Sequence, residues 1–255
     1  MIINPFIRPE EKFPDWFLSE MDKMFPNFCG DKFVSDDIVF SNKSLLEKYT
    51  NKKILIAAGG PSTNEINWKA KDYDFIWSMN HGFKNEKIRQ AGIDMISIGP
   101  EVSLDDPILL QFLKTSNPLV SFEMRERWRI PIFIFKLQNF SDKYSCFCYE
   151  TRFLGKTGVG ARLAILASFV GAKEVNFIGM DGPNFKLDGK HSFEPGKVNL
   201  PAGCSFDDMP QTMKIYQEHY DFLWNFLTST FPDIIYKNIG YENELHKVLR
   251  DRNER

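Results

Sequence analysis

The chain has 255 residues, 43% of them hydrophobic and 26% charged, the composition of a soluble globular protein rather than a disordered or fibrous one. Lysine and arginine number 32 against 34 aspartates and glutamates, and the resulting net charge of -2 gives no electrostatic ground for a nucleic-acid partner. Four cysteines, Cys29, Cys146, Cys148 and Cys204, are too few and too scattered for a disulfide scaffold or a zinc pattern, and they read as free intracellular thiols.

The opening residues lack a basic stretch followed by a continuous apolar run, so no secretory signal is expected. No segment approaches the ~18 apolar residues of a membrane span, and the expected compartment is the cytoplasm. Residues 1–50 carry Phe6, Phe13, Trp16, Phe17, Phe25, Phe28, Phe33 and Phe40 among prolines and acidic residues, with short helices expected at 15–24 and 44–49. So many large apolar side chains do not stay in water. This segment therefore reads as an extension packing on the core or on a partner subunit of a homo-oligomer.

Residues 51–255 read as one α/β domain. Lys53 to Ala58 form an apolar run closed by Gly59-Gly60-Pro61, the pattern of a strand buried on both faces. A helix is expected at once, with Ser62 and Glu65 at capping-box spacing. Further strands are expected at 75–78, 95–98, 119–121 and 132–135, with helices at 85–91 and 107–114. A helix of small and apolar residues spans 158–170 and ends at Gly171, a C-terminal capping position. The strand 174–181 then delivers Asp181 at its carboxyl end. A long irregular stretch, 182–209, precedes a helix at 211–230, a strand at 234–236 and a terminal helix at 242–252. This alternation predicts a mainly parallel sheet with helices on both faces.

In such sheets ligands bind beyond the carboxyl ends of the strands. Gly59, Gly60, Pro61 and Ser62 join a strand to a helix N-terminus, where close backbone approach and free N–H groups favour an anion. They equally fit a plain tight turn with a capped helix. Asn80, in Met79-Asn80-His81-Gly82, can bind a base or ribose through its amide or simply serve a turn. Lys156, Thr157 and Gly158 open the small-residue helix as a second anion cradle, or as a structural lysine beside a cap. Asp181 ends an apolar strand, where an unpaired carboxylate is costly. It can orient a ligand, or cap the N–H groups of Gly182-Pro183-Asn184.

Asp188-Gly189-Lys190-His191 follows, and His191, in a polar loop, is the best candidate general acid or base. His81 ranks behind it. His219 reads as a packing residue and His246 as a terminal-helix residue without partners. No G-x-S-x-G elbow or phosphate-binding Walker loop is present, which leaves little basis for nucleophilic hydrolysis or P-loop chemistry. No dedicated metal site is expected; Asp181 and Asp188 are seven residues apart.

The ordered set Ile54 to Ser62, Asn80, Thr157-Gly158 and Gly171 to Asp181 resembles a Rossmann-like transferase group. That group comprises bacterial sialyltransferases that use CMP-sialic acid, motility accessory factors of flagellin glycosylation, and 6-hydroxymethylpterin diphosphokinase-like proteins. The similarity covers residues 52 to 236. It implies that Gly59, Gly60, Pro61 and Ser62 contact nucleotide phosphates, that Asn80 contacts the nucleotide, and that Thr157-Gly158 contact the donor. Asp188-Gly189-Lys190-His191 is similar to an Asp-Gly-Lys-Thr-His element of the accessory-factor branch, without its threonine. Gly59 stands where the sialyltransferases carry asparagine, and their tyrosine cluster has no clear counterpart between Asp181 and Gln211.

The resemblance implies a glycosyltransferase of surface glycan or glycoconjugate synthesis. Its donor is a CMP-activated sugar, its acceptor a glycan or glycoconjugate, and no metal is obligatory. Two alternatives stand beside it. One is diphosphoryl transfer from ATP, with magnesium carried by Asp181 and Asp188. The other is a non-catalytic nucleotide- or glycan-binding module.

Overall fold

The structure, a computed structural model, describes residues 31–99, 102–123, 137, 139–153, 157–183, 192, 204–205 and 207–253. The helix expected at 15–24, the strand expected at 132–135, and most of 182–209 lie outside the described residues, as do Cys29, Lys156, Asp188 and His191.

Among the described residues nine strands form one sheet. They are β1 (Phe33–Val34), β2 (Ile38–Phe40), β3 (Lys53–Ala57), β4 (Phe75–Met79), β5 (Met95–Ile98), β6 (Leu119–Glu123), β7 (Cys146–Thr151), β8 (Glu174–Ile178) and β9 (Ile235–Asn238). Their order across the sheet is β1-β2-β7-β6-β5-β4-β3-β8-β9. All neighbours from β7 to β9 pair in parallel, whereas β1, β2 and β7 pair antiparallel. The α/β fold with a mainly parallel, Rossmann-like sheet expected from the sequence is what forms.

From β3 the chain steps outward through β4, β5, β6 and β7, then returns across the sheet to place β8 on the other side of β3. Right-handed crossovers in opposite directions must lie on opposite faces. Helices α1 (Ser62–Glu65), α2 (Glu86–Ala91) and α3 (Pro107–Ser116) connect the outward strands. Helices α4 (Val159–Phe169), α5 (Met209–Thr230) and α6 (Lys247–Asn253) belong to the return. The core divides accordingly. Ile54 and Ile56 face a cluster with Leu163, Leu166, Trp224 and Leu249, while Leu55 and Ala57 face one with Phe83, Ile88, Leu109 and Leu113. Side chains of β3 alternate between the two, as strand geometry requires. Burial on both faces explains why this strand reads as an unbroken apolar run.

The chain before residue 50 contributes to this same sheet. Ile38, Val39 and Phe40 pair with Thr151, Glu150 and Tyr149 of β7. Phe33 stacks on Phe40 at 4.8 Å and meets Phe169 of α4 at 5.9 Å. A 3-10 helix, Lys43–Tyr49, places the wholly buried Tyr49 edge-on to Phe75 and Trp77, with ring centroids 4.7 and 4.9 Å away. Strand β7 was not expected from the sequence: Cys146 and Cys148 are buried strand residues, and burial pushes the Cys146 thiol up to about 12.

Truncating a fully buried aromatic residue costs roughly 3 to 5 kcal/mol. Tyr49→Ala is therefore expected to lower unfolding free energy by about 3 kcal/mol in urea titrations, whereas Val34→Ala, at a 52% exposed position, changes it by less than about 0.5 kcal/mol. Equal effects of the two substitutions would contradict this account of the amino-terminal segment.

Candidate functional site

The strand order reverses between β3 and β8, the position where an open parallel sheet leaves a crevice beyond its carboxyl ends. The segments that leave these two strands are tied together. Ala58 N–H donates to Ile178 O at 2.8 Å and Gly60 N–H to Gly179 O at 2.8 Å, which extends the pairing past both strands. Ser62 then donates twice to Asp181, from its hydroxyl to Oδ1 at 2.6 Å and from its amide to Oδ2 at 2.9 Å. The same hydroxyl accepts from Gly179 N–H at 2.9 Å.

Ser62 is thus not a capping-box residue. Pro61 holds the N-cap position of α1 with no side-chain bond, and the hydroxyl expected to serve its own helix serves Asp181. The strand expected to run to Asp181 stops at Ile178, because Gly179 turns the chain with φ at +72°. A Cβ there would lie 2.5 Å from Ala58 O, and one on Gly60 would lie 2.6 Å from Gly179 O. Only glycine permits this approach. Asn184, one of the residues that Asp181 was expected to cap, lies outside the described residues; the Asp181 carboxylate faces the first turn of α1. Burial raises its proton affinity and the two Ser62 bonds oppose that, with the net effect upward.

Asn80 begins a 3-10 helix, Asn80–Lys84, with φ at +47°, and its Oδ1 accepts from Gly99 N–H at 2.8 Å. It therefore clips the end of β4 to the end of β5 at the same edge of the sheet. The α4 terminus lies close by: a Cβ on Gly160 would lie 3.0 Å from Met180 Sδ and 3.6 Å from Met79 Cε, the residues preceding Asp181 and Asn80. Gly158, with φ at +83°, is the N-cap of α4 and supplies no side-chain cap. Thr157 beside it is buried, and its hydroxyl has no hydrogen-bond partner. The structure brings Gly59, Gly60, Pro61, Ser62, Asn80, Thr157, Gly158 and Asp181 to one edge of the sheet.

Ser192, next in sequence to His191, donates its N–H to Gly59 O at 2.7 Å. Its carbonyl accepts from Asn64 Nδ2 at 2.9 Å and Asn85 Nδ2 at 3.2 Å. The chain beyond Asp181 thus returns to the Gly59 turn.

One group went unread in the sequence and another was misread. Arg162, in the first turns of α4, forms a buried ion pair with Glu123 at the end of β6. Burial works against the Arg162 charge, but the charge and hydrogen bond of Glu123 together with Tyr149 and Glu150 outweigh it, so the guanidinium is held above its ordinary value. Tyr149 and Ser97 share a buried hydrogen bond of 3.1 Å on the neighbouring strands. The available signal was one arginine inside an otherwise small and apolar helix.

The second group is His246, which has partners after all. Trp224 Nε1–H donates to its Nδ1 at 3.2 Å, so the proton resides on Nε2, which donates to Met180 O at 2.9 Å. His219 is buried within α5, and His81 lies 6.0 Å from Phe83, ring to ring. Among the described residues no group of three or more His, Cys, Asp or Glu is placed to hold a metal ion, and no helix is long and apolar enough to cross a membrane.

Comparison of the chain with family models and with curated proteins finds no match in either.

Burial lowers the His246 pKa from 6.5 to about 4. Its neutral ring thus contributes stability that is complete above 6.5 and is lost as pH falls toward 4. The wild type is expected to lose about 3 kcal/mol over that interval relative to His246→Gln, measured by urea denaturation at several pH values. Parallel pH profiles would show that His246 is not the group responsible.

Proposed function

We propose that this chain is a nucleotide-dependent transferase, a sialyltransferase-like glycosyltransferase that takes a CMP-activated sugar as donor and works in the cytoplasm on a glycan or glycoconjugate acceptor. The observation that carries this reading is the buried, unpartnered Thr157 hydroxyl at the N-terminus of α4, beside the strand-order reversal. A buried hydroxyl without a partner costs free energy, and a phosphate oxygen supplies what it lacks. The α4 N–H groups add donors directed at the same anion.

The Asp181 carboxylate already accepts from the Ser62 N–H and hydroxyl. In our reading the Gly59 to Ser62 turn therefore shapes the crevice and lets the nucleotide approach its backbone, while the phosphate goes to Thr157, Gly158 and Lys156. Asn80 borders the nucleotide. The acceptor hydroxyl transfers its proton to His191 as its oxygen bonds to the anomeric carbon. The bond from that carbon to the phosphate oxygen breaks, and CMP departs with the electron pair, its charge met by Thr157 and the α4 terminus. The roles of His191 and Lys156 rest on the sequence, which puts His191 in a polar loop and Lys156 beside Thr157.

Isothermal titration with CMP in the absence of divalent metal tests the reading. Wild type is expected to bind, and Thr157→Val to bind at least about tenfold more weakly, the value of one hydrogen bond to a charged group. Melting temperature should not fall in this variant, because the hydroxyl has no protein partner to lose. His191→Ala is expected to keep CMP affinity and lose turnover of a CMP-activated sugar. Absence of CMP binding, or binding of ATP only with magnesium, would overturn the assignment, the latter in favour of diphosphoryl transfer.

A further inference from the structure

A second concavity adjoins the crevice on the side away from α4. It is an open pocket of about 610 Å3 lined by Asn64, Lys84, Asn85, Glu86, Lys87, Gln90 and Ser192. Its parts come from the ends of three strands: α1 follows β3, the 3-10 turn and α2 follow β4, and Ser192 lies beyond β8. Asn85 joins them. Its Oδ1 caps α2 by accepting from Ile88 N–H at 3.0 Å, and its Nδ2 donates to Asn64 Oδ1 at 2.8 Å and to Ser192 O.

Lys87 gives this pocket its charge. Its ammonium, half-buried, donates to Asn64 O at 3.1 Å and Ile66 O at 2.6 Å and lies 5.4 Å from the Trp68 ring centroid. Those contacts use two of its three N–H donors, and among the described residues no carboxylate is within ion-pair distance of it. Burial lowers its pKa, as expected of a cation with too little countercharge. Lys84 is paired with Asp106 at 3.3 Å, and the exposed Glu86 accepts from Gln90 at 2.9 Å. The Ser192 hydroxyl, shielded from solvent, has no hydrogen-bond partner.

We propose that this pocket is an oxyanion subsite in which Lys87 and Ser192 hold a phosphate or carboxylate group of the second substrate. An ammonium with a spare donor and an unpartnered hydroxyl are what such a group satisfies. The anion itself is inferred from the pocket; that the acceptor carries it rests on the transferase reading above. The acceptor would then approach from the α2 side while the donor phosphate lies at α4, with the Gly59 turn between them.

Titration calorimetry with inorganic phosphate, and separately with acetate, tests the subsite and distinguishes the two anions. One of them is expected to bind wild type. Its affinity is expected to fall at least about tenfold in Lys87→Gln and several-fold in Ser192→Ala. Lys71→Gln, an exposed lysine that precedes β4 at the opposite end of the sheet, should match wild type. Ser192→Ala removes a hydroxyl that bonds nothing in the protein, so its thermal stability should be unchanged and its loss of affinity cannot be laid to misfolding. Binding of neither anion, equal binding by wild type and both variants, or displacement of the bound anion by CMP would overturn the proposal. Failure of CMP itself to bind would overturn the transferase reading while leaving the anion result standing.

Discussion

Ser62 and Asp181 are 119 residues apart, and the two hydrogen bonds between them fix the geometry of the whole carboxyl edge. Parallel strands β3 and β8 lie side by side because the chain reverses its direction of travel there, but pairing alone would let the segments beyond them splay. The Gly60 to Gly179 bond and the Ser62 to Asp181 pair continue the ladder for several residues more. This continuation demands glycine at 60 and 179, since a side chain at either would enter the partner backbone. It also demands a carboxylate able to accept from an amide and a hydroxyl at once.

That arrangement divides the labour of the two helix termini at the edge. At α1 the first-turn amide and the Ser62 hydroxyl are met by a charge within the protein, so this turn is a rigid wall. At α4 the nearest side chain, Thr157, is buried with its hydroxyl unmet. Two termini that look equally suited to an anion in the sequence therefore differ in what the fold leaves them to do. The close fit of Gly160 against Met79 and Met180 keeps the α4 terminus near both Asn80 and Asp181. The Arg162–Glu123 pair secures that helix to the end of β6. Removing one partner of such a pair would leave a buried charge uncompensated, which makes the pair a strong constraint on helix position even where its net stabilisation is small.

The sequence is most readable where burial is two-sided and connections are local. Strands β3, β4, β5 and β8 announce themselves as apolar runs beside glycine or polar turns, and α3 is bounded by Asp106, Pro107 and Asn117. Legibility fails where the deciding partner is distant. Strand β7 carries tyrosine, glutamate and two cysteines, and its place depends on β2, more than a hundred residues earlier in the chain. Ser62 fits a capping box by spacing, yet a carboxylate from beyond another strand wins its hydroxyl. His246 looks solitary in the terminal helix because Trp224 and Met180 reach it only in three dimensions. The site positions were legible as turns at strand ends; which of their donors are already satisfied was not.

The distant contacts that escaped sequence reading also explain why the wall can be rigid without being thick. On one face Thr63 Oγ1 donates to Ala58 O at 2.7 Å and Trp68 Nε1–H to Thr63 O at 2.9 Å, which holds α1 down on the strand it leaves. On the other, His246 takes the Met180 carbonyl, while its ring packs 4.8 Å from Phe177 and 5.1 Å from Tyr220. Asp181 thus sits between two anchored backbones, one in each layer of the sandwich. A carboxylate so placed cannot turn to follow a ligand, and adaptation during binding must come from elements outside this wall. Ser192 touches this wall: its amide reaches the Gly59 carbonyl, and its own carbonyl reaches Asn64 and Asn85. These bonds join Ser192 to the rigid edge beside the pocket that it lines with Asn64, Asn85 and Lys87.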